Sequence, residues 1–200
     1  MVIAGIVSLV ALAVVVTSLA WLHLQPTGLS PVRSPVSQYG ITRYRAGYRV
    51  ATLAFGLAGL ALAIALDRAI RGHGEALVVA LLVIFAASRC VISWFPMDAP
   101  GAQRTSTGAI HGVLAIAAFG SVAYAALRFG RVLARTTRWH SLGPTSTVLG
   151  WAMVACLIAI ALARTYRAVA ARFGAIERGF YVLAIAWVGV FAVACAANVQ

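Results

Sequence analysis

The chain reads as an all-α polytopic membrane protein, a six-transmembrane-helix bundle forming one integral domain over residues 1–200. Three observations lead there. Hydrophobic residues make up 62% of the chain and charged residues 10%, with a mean hydropathy of +0.95, which leaves too little polar surface to clothe a water-soluble domain. The apolar residues gather into six runs of about 17–23 residues, close to the ~20 that cross a hydrocarbon core of roughly 30 Å. Between the runs lie short polar segments, which hold most of the arginines and all four carboxylates, Asp67, Glu75, Asp98 and Glu177.

The first run, about 2–24, has no charged residue before His23. A cleaved signal peptide would carry a basic start and a shorter apolar stretch, so this run is expected to remain as the first helix. Residues 25–45 are polar and broken by Pro26, Pro31, Pro35 and Gly40, which makes them a long loop containing the turn SPVSQYG from Ser34 to Gly40. The second helix is expected over about 47–66. Gly56 and Gly59 within it permit close approach by a neighbouring helix, and Arg49 is free to snorkel. Asp67 to Glu75 (DRAIRGHGE) forms a solvated turn at the opposite membrane face.

The third helix, about 76–95, contains Arg89, roughly 9 Å inside its end at about 1.5 Å per residue. A charge at that depth faces either the bundle interior or, by snorkelling, the interface. Next comes FPMDAPGAQRTSTGAIHG, from Phe95 to Gly112, which joins two apolar runs and thereby brings Asp98, Arg104 and His111 to one face. The fourth helix is expected over about 107–127, with Gly108 and Gly112 spaced as a small-residue contact between helices. A basic segment, Arg128 to Gly143, precedes a fifth helix over about 146–162. A second basic segment, Arg164 to Arg178, precedes the sixth, about 179–197.

Charge limits the partners. With no lysine in the chain, the net charge of +12 comes from sixteen arginines at the ends of apolar runs, so the expected counter-charge is anionic lipid and not nucleic acid. Cys90, Cys156 and Cys195 fall within apolar runs and have no paired spacing, which suggests neither a disulfide frame nor a zinc knuckle. Six crossings put both termini on one face with Arg68, Arg71, Arg128, Arg131, Arg135 and Arg138, and assign the other ten arginines to the second face. The positive-inside rule places that second face in the cytoplasm, for a multi-pass protein of the cell's cytoplasmic membrane.

Polar residues with chemical potential gather on the second face: Ser37, Tyr39, Asp98, Arg104, His111, Glu177, Arg178 and His23. At three of these segments, SPVSQYG, FPMD followed by TSTGAIHG, and GAIERGFY leading into a helix bearing Trp187, the chain resembles the prokaryotic six-helix membrane proteins grouped as domain of unknown function 998. The resemblance covers nearly the whole chain. It departs at Val36, where the family often has Ile, and at Gln38, where it often has an acidic residue. It implies a fold and a shared polar face without an activity. The Ser-x-x-Gly turn is also similar to one in the FRAG/DRAM/Sfk membrane proteins, some of which are linked to lipid remodelling.

Several functions fit this face. In the leading one it receives an anionic lipid head group. Arg104 and Arg178 would pair the phosphate, Arg89, Tyr39 and Glu177 would line the ligand, and Asp98 and His111 would act as an acid/base pair with Ser37 as nucleophile. A metal version would use Asp98 and His111 with Glu177 or His23, but no HxxxH or HExxH places two ligands on one helix, so no metal is assigned. Haem would require His23 and His111 at one face. A structural class has the same charges satisfying one another in an accessory subunit that meets a protein partner or a second copy. A transport class has Arg89 guiding a small anion.

Overall fold

The computed structural model describes residues 1–198. Its helices are α1 (Val2–His23), α2 (Arg45–Ile70), α3 (Ala76–Val91), α4 (Ser106–Leu133), α5 (Gly143–Leu162), the short α6 (Arg167–Ala170) and α7 (Phe173–Ala196). One-turn 3₁₀ segments extend α3 through Ile92–Trp94 and lead into α5 through His140–Leu142, and another 3₁₀ segment, Val36–Ile41, folds the first loop. All helices but α6, α3 together with its 3₁₀ extension to Trp94, are long and apolar enough to cross a membrane.

Several helices run past the ends expected from hydropathy. α2 continues to Ile70, α4 to Leu133, and α7 begins at Phe173, so Glu177 and Arg178 lie in its second turn and not in the preceding loop. A charged side chain ends an apolar run but leaves the backbone N–H to C=O ladder intact, so the helix continues until the backbone itself turns. After α2 that turn comes at Gly72 and Gly74, whose φ values of +84° and +87° belong to the left-handed region.

Consecutive spanning helices are neighbours, and α7 returns to α1 to close the ring. α7 also touches α2 and α4, which makes it the innermost helix. Two features close the ring tightly at the face carrying the termini. Gly5 of α1 lies against the backbone of Ala192 and Ala196 in α7, and Gly130 of α4 lies against Thr147 and the Gly143 carbonyl of α5. Gly56 and Gly59 act as expected, bringing α2 onto Cys90, Ala86 and Phe85 of α3.

Within this tight half the aromatic rings of Trp187, Phe129 and Phe191 pack edge-on or tilted with centroids 4.7–6.2 Å apart. The Trp187 indole N–H donates to Ser146 Oγ at 2.8 Å, and Ser146 donates to the Ala126 carbonyl at 2.8 Å. Ser8 of α1 donates to the Ala58 carbonyl of α2. Each of these buried donors has its acceptor, as a bilayer core without water requires. On the outside, Ile3, Val10, Val113, Val148, Trp151 and Val182 are exposed and form an apolar belt.

Candidate functional site

Toward the second face the helices enclose a cavity of about 440 Å³, within the range of small-molecule sites. α2 contributes Tyr48, α3 Arg89 and Ile92, and α4 the ridge His111, Gly112, Ala115, Ile116, Phe119 and Gly120. That ridge repeats at three and four residues, the period that aligns side chains on one helical face. α5 adds Leu157, Ile160 and Ala161, and α7 adds Phe173, Glu177 and Tyr181. Glu177 and Tyr181 are four residues apart and therefore share a face.

Arg89 is the most unusual residue of this wall. It is 1% exposed, its Nε has no hydrogen-bond partner, and its guanidinium carbon stands 5.6 Å from the Phe55 ring and 5.2 Å from the Tyr181 ring. Among the described residues the one ion pair within 4.0 Å joins Arg71 to Asp67, so no carboxylate pairs with Arg89. Of the two orientations open to it, Arg89 therefore takes the bundle interior. Arg49 does snorkel, lying over the Trp94 ring at 4.9 Å. Tyr48, also buried, has a hydroxyl with no partner.

The first loop roofs the cavity. Glu177 Oε2 accepts the Val36 N–H at 2.6 Å, the Ala175 N–H donates to the Val32 carbonyl, and Ser37 Oγ donates to Met97 Sδ at 3.1 Å. Pro35 and Ser37 thereby face the cavity. Arg178 is the strap: its Nε donates to His23 Nε2 at 2.6 Å, and its guanidinium donates to the carbonyls of Ser34 and Gly174 at 2.8 and 3.0 Å. Tyr39, in the 3₁₀ segment of that loop, is buried with its ring 5.5 Å from the His23 ring and is absent from the cavity wall.

A more open pocket of about 580 Å³ adjoins the cavity and shares Gly112, Ile116 and Arg164 with it. Asp98 and Arg104 belong to this outer space. Asp98 accepts from the Thr105 hydroxyl at 2.7 Å and the Thr105 N–H at 3.2 Å, while Thr105 Oγ1 accepts the Gly108 N–H and caps α4. The Thr105 hydroxyl, then its N–H, with Arg104 and His111 adding less, hold the Asp98 carboxyl below its ordinary range. Gly108 gives Asp98 room, and Gly112 has no neighbour where a Cβ would stand, so this pair serves a cap and a cavity wall instead of the expected helix contact.

The structure therefore separates the residues expected to act together. His111, Glu177, Arg89 and Ser37 reach the inner cavity, Asp98 and Arg104 the outer pocket, and Arg178 and Tyr39 the loop that roofs them. His111 is oriented by the Phe95 carbonyl, which accepts from Nδ1 at 2.8 Å; this fixes the proton there and leaves Nε2 as the nitrogen able to accept. No hydrogen bond joins it to Asp98. Among the described residues no group of three His, Cys, Asp or Glu stands close enough to hold a metal ion. His23, the other histidine of this face, has both ring nitrogens engaged, by Leu19 and Arg178.

Residues 5–194 match the family described as "Protein of unknown function (DUF998)". The chain belongs to that family. No curated protein and no solved structure matches it. The three segments that suggested the family, SPVSQYG, FPMD with TSTGAIHG, and GAIERGFY, meet at the second face: all three contribute to the cavity or its roof in this DUF998 chain.

Sequence reasoning missed Tyr48, Tyr181, Phe119 and Met97 as wall residues, and took Arg164 only as part of a basic segment. A signal existed for Tyr181, which follows Glu177 by one helical turn. None existed for Tyr48, because its exposure depends on how far α2 stands from α4 and α5.

Proposed function

We propose that this DUF998 protein binds a lipid head group through its anionic phosphate, with the phosphate drawn to Arg89 inside the cavity and to Arg164 at its mouth. The observation that carries this reading is Arg89 itself: a guanidinium 1% exposed, on the wall of a largely apolar cavity, with no carboxylate to pair with. An unpaired charge in such a place costs several kcal/mol, roughly, and an anionic ligand with bidentate oxygens is the group that offsets it. Apolar walls from Phe119, Ile116, Leu157 and Ile160 suit the hydrocarbon next to a head group. A purely structural role accounts for Arg178 and Asp98, whose hydrogen bonds end on the loop and on Thr105, but leaves the Arg89 charge with ring contacts and no counter-charge. The arginine bias of the second face supports a cytoplasmic orientation of this site in the cytoplasmic membrane.

Native mass spectrometry of protein purified in mild detergent tests the proposal. Wild type is expected to carry phospholipid adducts that survive collisional stripping of detergent, and Arg89→Gln to lose them, while Arg104→Gln, in the outer pocket, keeps most of them. Identical adducts in wild type and Arg89→Gln would overturn the reading.

A further inference from the structure

Arg89 shares its cavity with a second buried charge-bearing group. Glu177 enters from α7, is 5% exposed and lines the same space, yet stands outside the 4.0 Å ion-pairing distance of Arg89. Had the two met, each would neutralise the other and the cavity would be electrostatically closed. Held apart in a surrounding of low dielectric, they present a cationic donor and an anionic acceptor to whatever lies between them. A simple anion would satisfy Arg89 and be repelled by Glu177. A ligand carrying both signs satisfies both.

We infer that the head group bound here is zwitterionic with a primary ammonium, the phosphoethanolamine class, its phosphate toward Arg89 and Arg164 and its ammonium toward Glu177. This rests on the lipid-binding function proposed above and adds the identity of the head group. One Glu177 oxygen, Oε2, accepts the Val36 N–H, and a carboxylate retains acceptor capacity on its other oxygen. The Tyr48 hydroxyl is buried without a partner in a residue of the same wall, and on this inference a ligand N–H seated there takes it as a second acceptor. Phe119 and Phe173 line the same space, and aromatic rings attract a cation. A quaternary choline would use the rings but has no N–H for Glu177 or Tyr48, and a glycerol head group brings no cation at all. Two acceptors beside the rings thus select a primary ammonium over both.

The experiment is a competition. Delipidated protein in detergent is offered an equimolar mixture of phosphatidylethanolamine, phosphatidylglycerol and phosphatidylcholine with identical acyl chains, and adducts are counted by native mass spectrometry. Wild type is expected to favour phosphatidylethanolamine by about tenfold over either competitor, which corresponds to ~1.4 kcal/mol. Glu177→Gln keeps an acceptor for the Val36 N–H while removing the charge, and should bring phosphatidylethanolamine down to the level of phosphatidylglycerol. Tyr48→Phe, which changes no packing volume of note, should lower the preference about threefold and serves if Glu177→Gln does not fold. Equal adducts of all three lipids in wild type, or a preference for phosphatidylglycerol, overturns the inference and leaves lipid binding standing. A preference untouched in both variants also overturns it. No adduct of any lipid overturns the proposed function with it.

Discussion

The same helices build two unlike halves. Toward the termini, α4, α5 and α7 meet through Gly130, Gly143 and the cluster of Trp187, Phe129 and Phe191, where the Trp187 and Ser146 donors have acceptors, and only the Nε atoms of Arg128 and Arg138, nearer the surface loop, are buried without one among the described residues of that half. Toward the second face α4 and α5 frame a cavity with Gly112, Gly120 and Ala161 on its walls, and Arg89 Nε and the Tyr48 hydroxyl lack partners. Close helix packing at one end and a cavity with a buried arginine at the other is what a membrane protein shows when one half holds the fold and the other is shaped for something outside the chain.

The largest effect should come from the tight half. Trp187 is fully buried, and Trp187→Ala removes its ring contacts together with the donor to Ser146. A cost of roughly 3–5 kcal/mol is expected, read as a large fall in thermal midpoint in detergent. Ser146→Ala leaves the indole N–H without its acceptor and should cost about 1–3 kcal/mol. Neither change should alter lipid selectivity in whatever fraction remains folded; a change in selectivity would show that the halves are coupled.

One substitution made twice in α4 sharpens the contrast. A Cβ at Gly130 would collide with Thr147 and crowd the Gly143 carbonyl, so Gly130→Ala should push α5 away and cost about 1–3 kcal/mol. At Gly112 nothing lies within 4 Å of the same atom. Gly112→Ala should be neutral or stabilise by up to about 1 kcal/mol through the helix propensity gained. Equal losses at both positions, in paired thermal melts, would mean that the cavity is not open at Gly112.

Arg89 brings stability and function into opposition. Removing a buried, unpaired charge should stabilise the lipid-free protein, by on the order of 1–3 kcal/mol after the loss of the ring contacts to Phe55 and Tyr181 is set against it. Arg89→Gln is therefore expected to melt higher than wild type once delipidated, and to gain nothing from added phospholipid while wild type does. A variant that melts lower in both conditions would make Arg89 a structural residue.

The amount legible in the sequence follows the range of each interaction. Six spans and their order were open to reading because about twenty apolar residues are their own signal. The membership of the second face was equally plain, since an even count of crossings sorts every loop. Which residues of that face share one space was not. Glu177 looked like part of a loop and lies inside α7, Arg178 looked like a phosphate ligand and straps the first loop, and Asp98 looked like the partner of His111 and holds the start of α4. Each depends on angles between helices distant in sequence, to which local composition is blind. Arg89 was legible as a candidate because burying an arginine in a bilayer is costly, but its choice between the bundle interior and the interface was left open by the sequence.

Asp98 supplies the smallest effect, at the rim between the two spaces. Its folded pKa is depressed, so its contribution to stability is complete above the ordinary value of 3.8 and disappears as pH falls through the lower folded value. Glu75 behaves alike at the opposite face: burial pushes its carboxyl up, but the N–H groups of Glu75 itself, Gly72 and His73 outweigh burial and hold it below its ordinary range. Thermal midpoints should therefore decline below about pH 4 from both ends of the bundle. Asp98→Asn keeps an oxygen for Thr105 but cannot titrate, so it should flatten part of that decline while changing little at pH 7. Because Thr105 starts the helix that carries His111, Gly112 and Phe119, the acid loss traced to Asp98 should loosen the cavity wall before the ring cluster around Trp187. Hydrogen exchange at pH 3.5 that rises in residues 106–112 of wild type, and not of Asp98→Asn, would place the first opening at the cavity. Exchange rising first around 185–191 would reverse the order of the two halves.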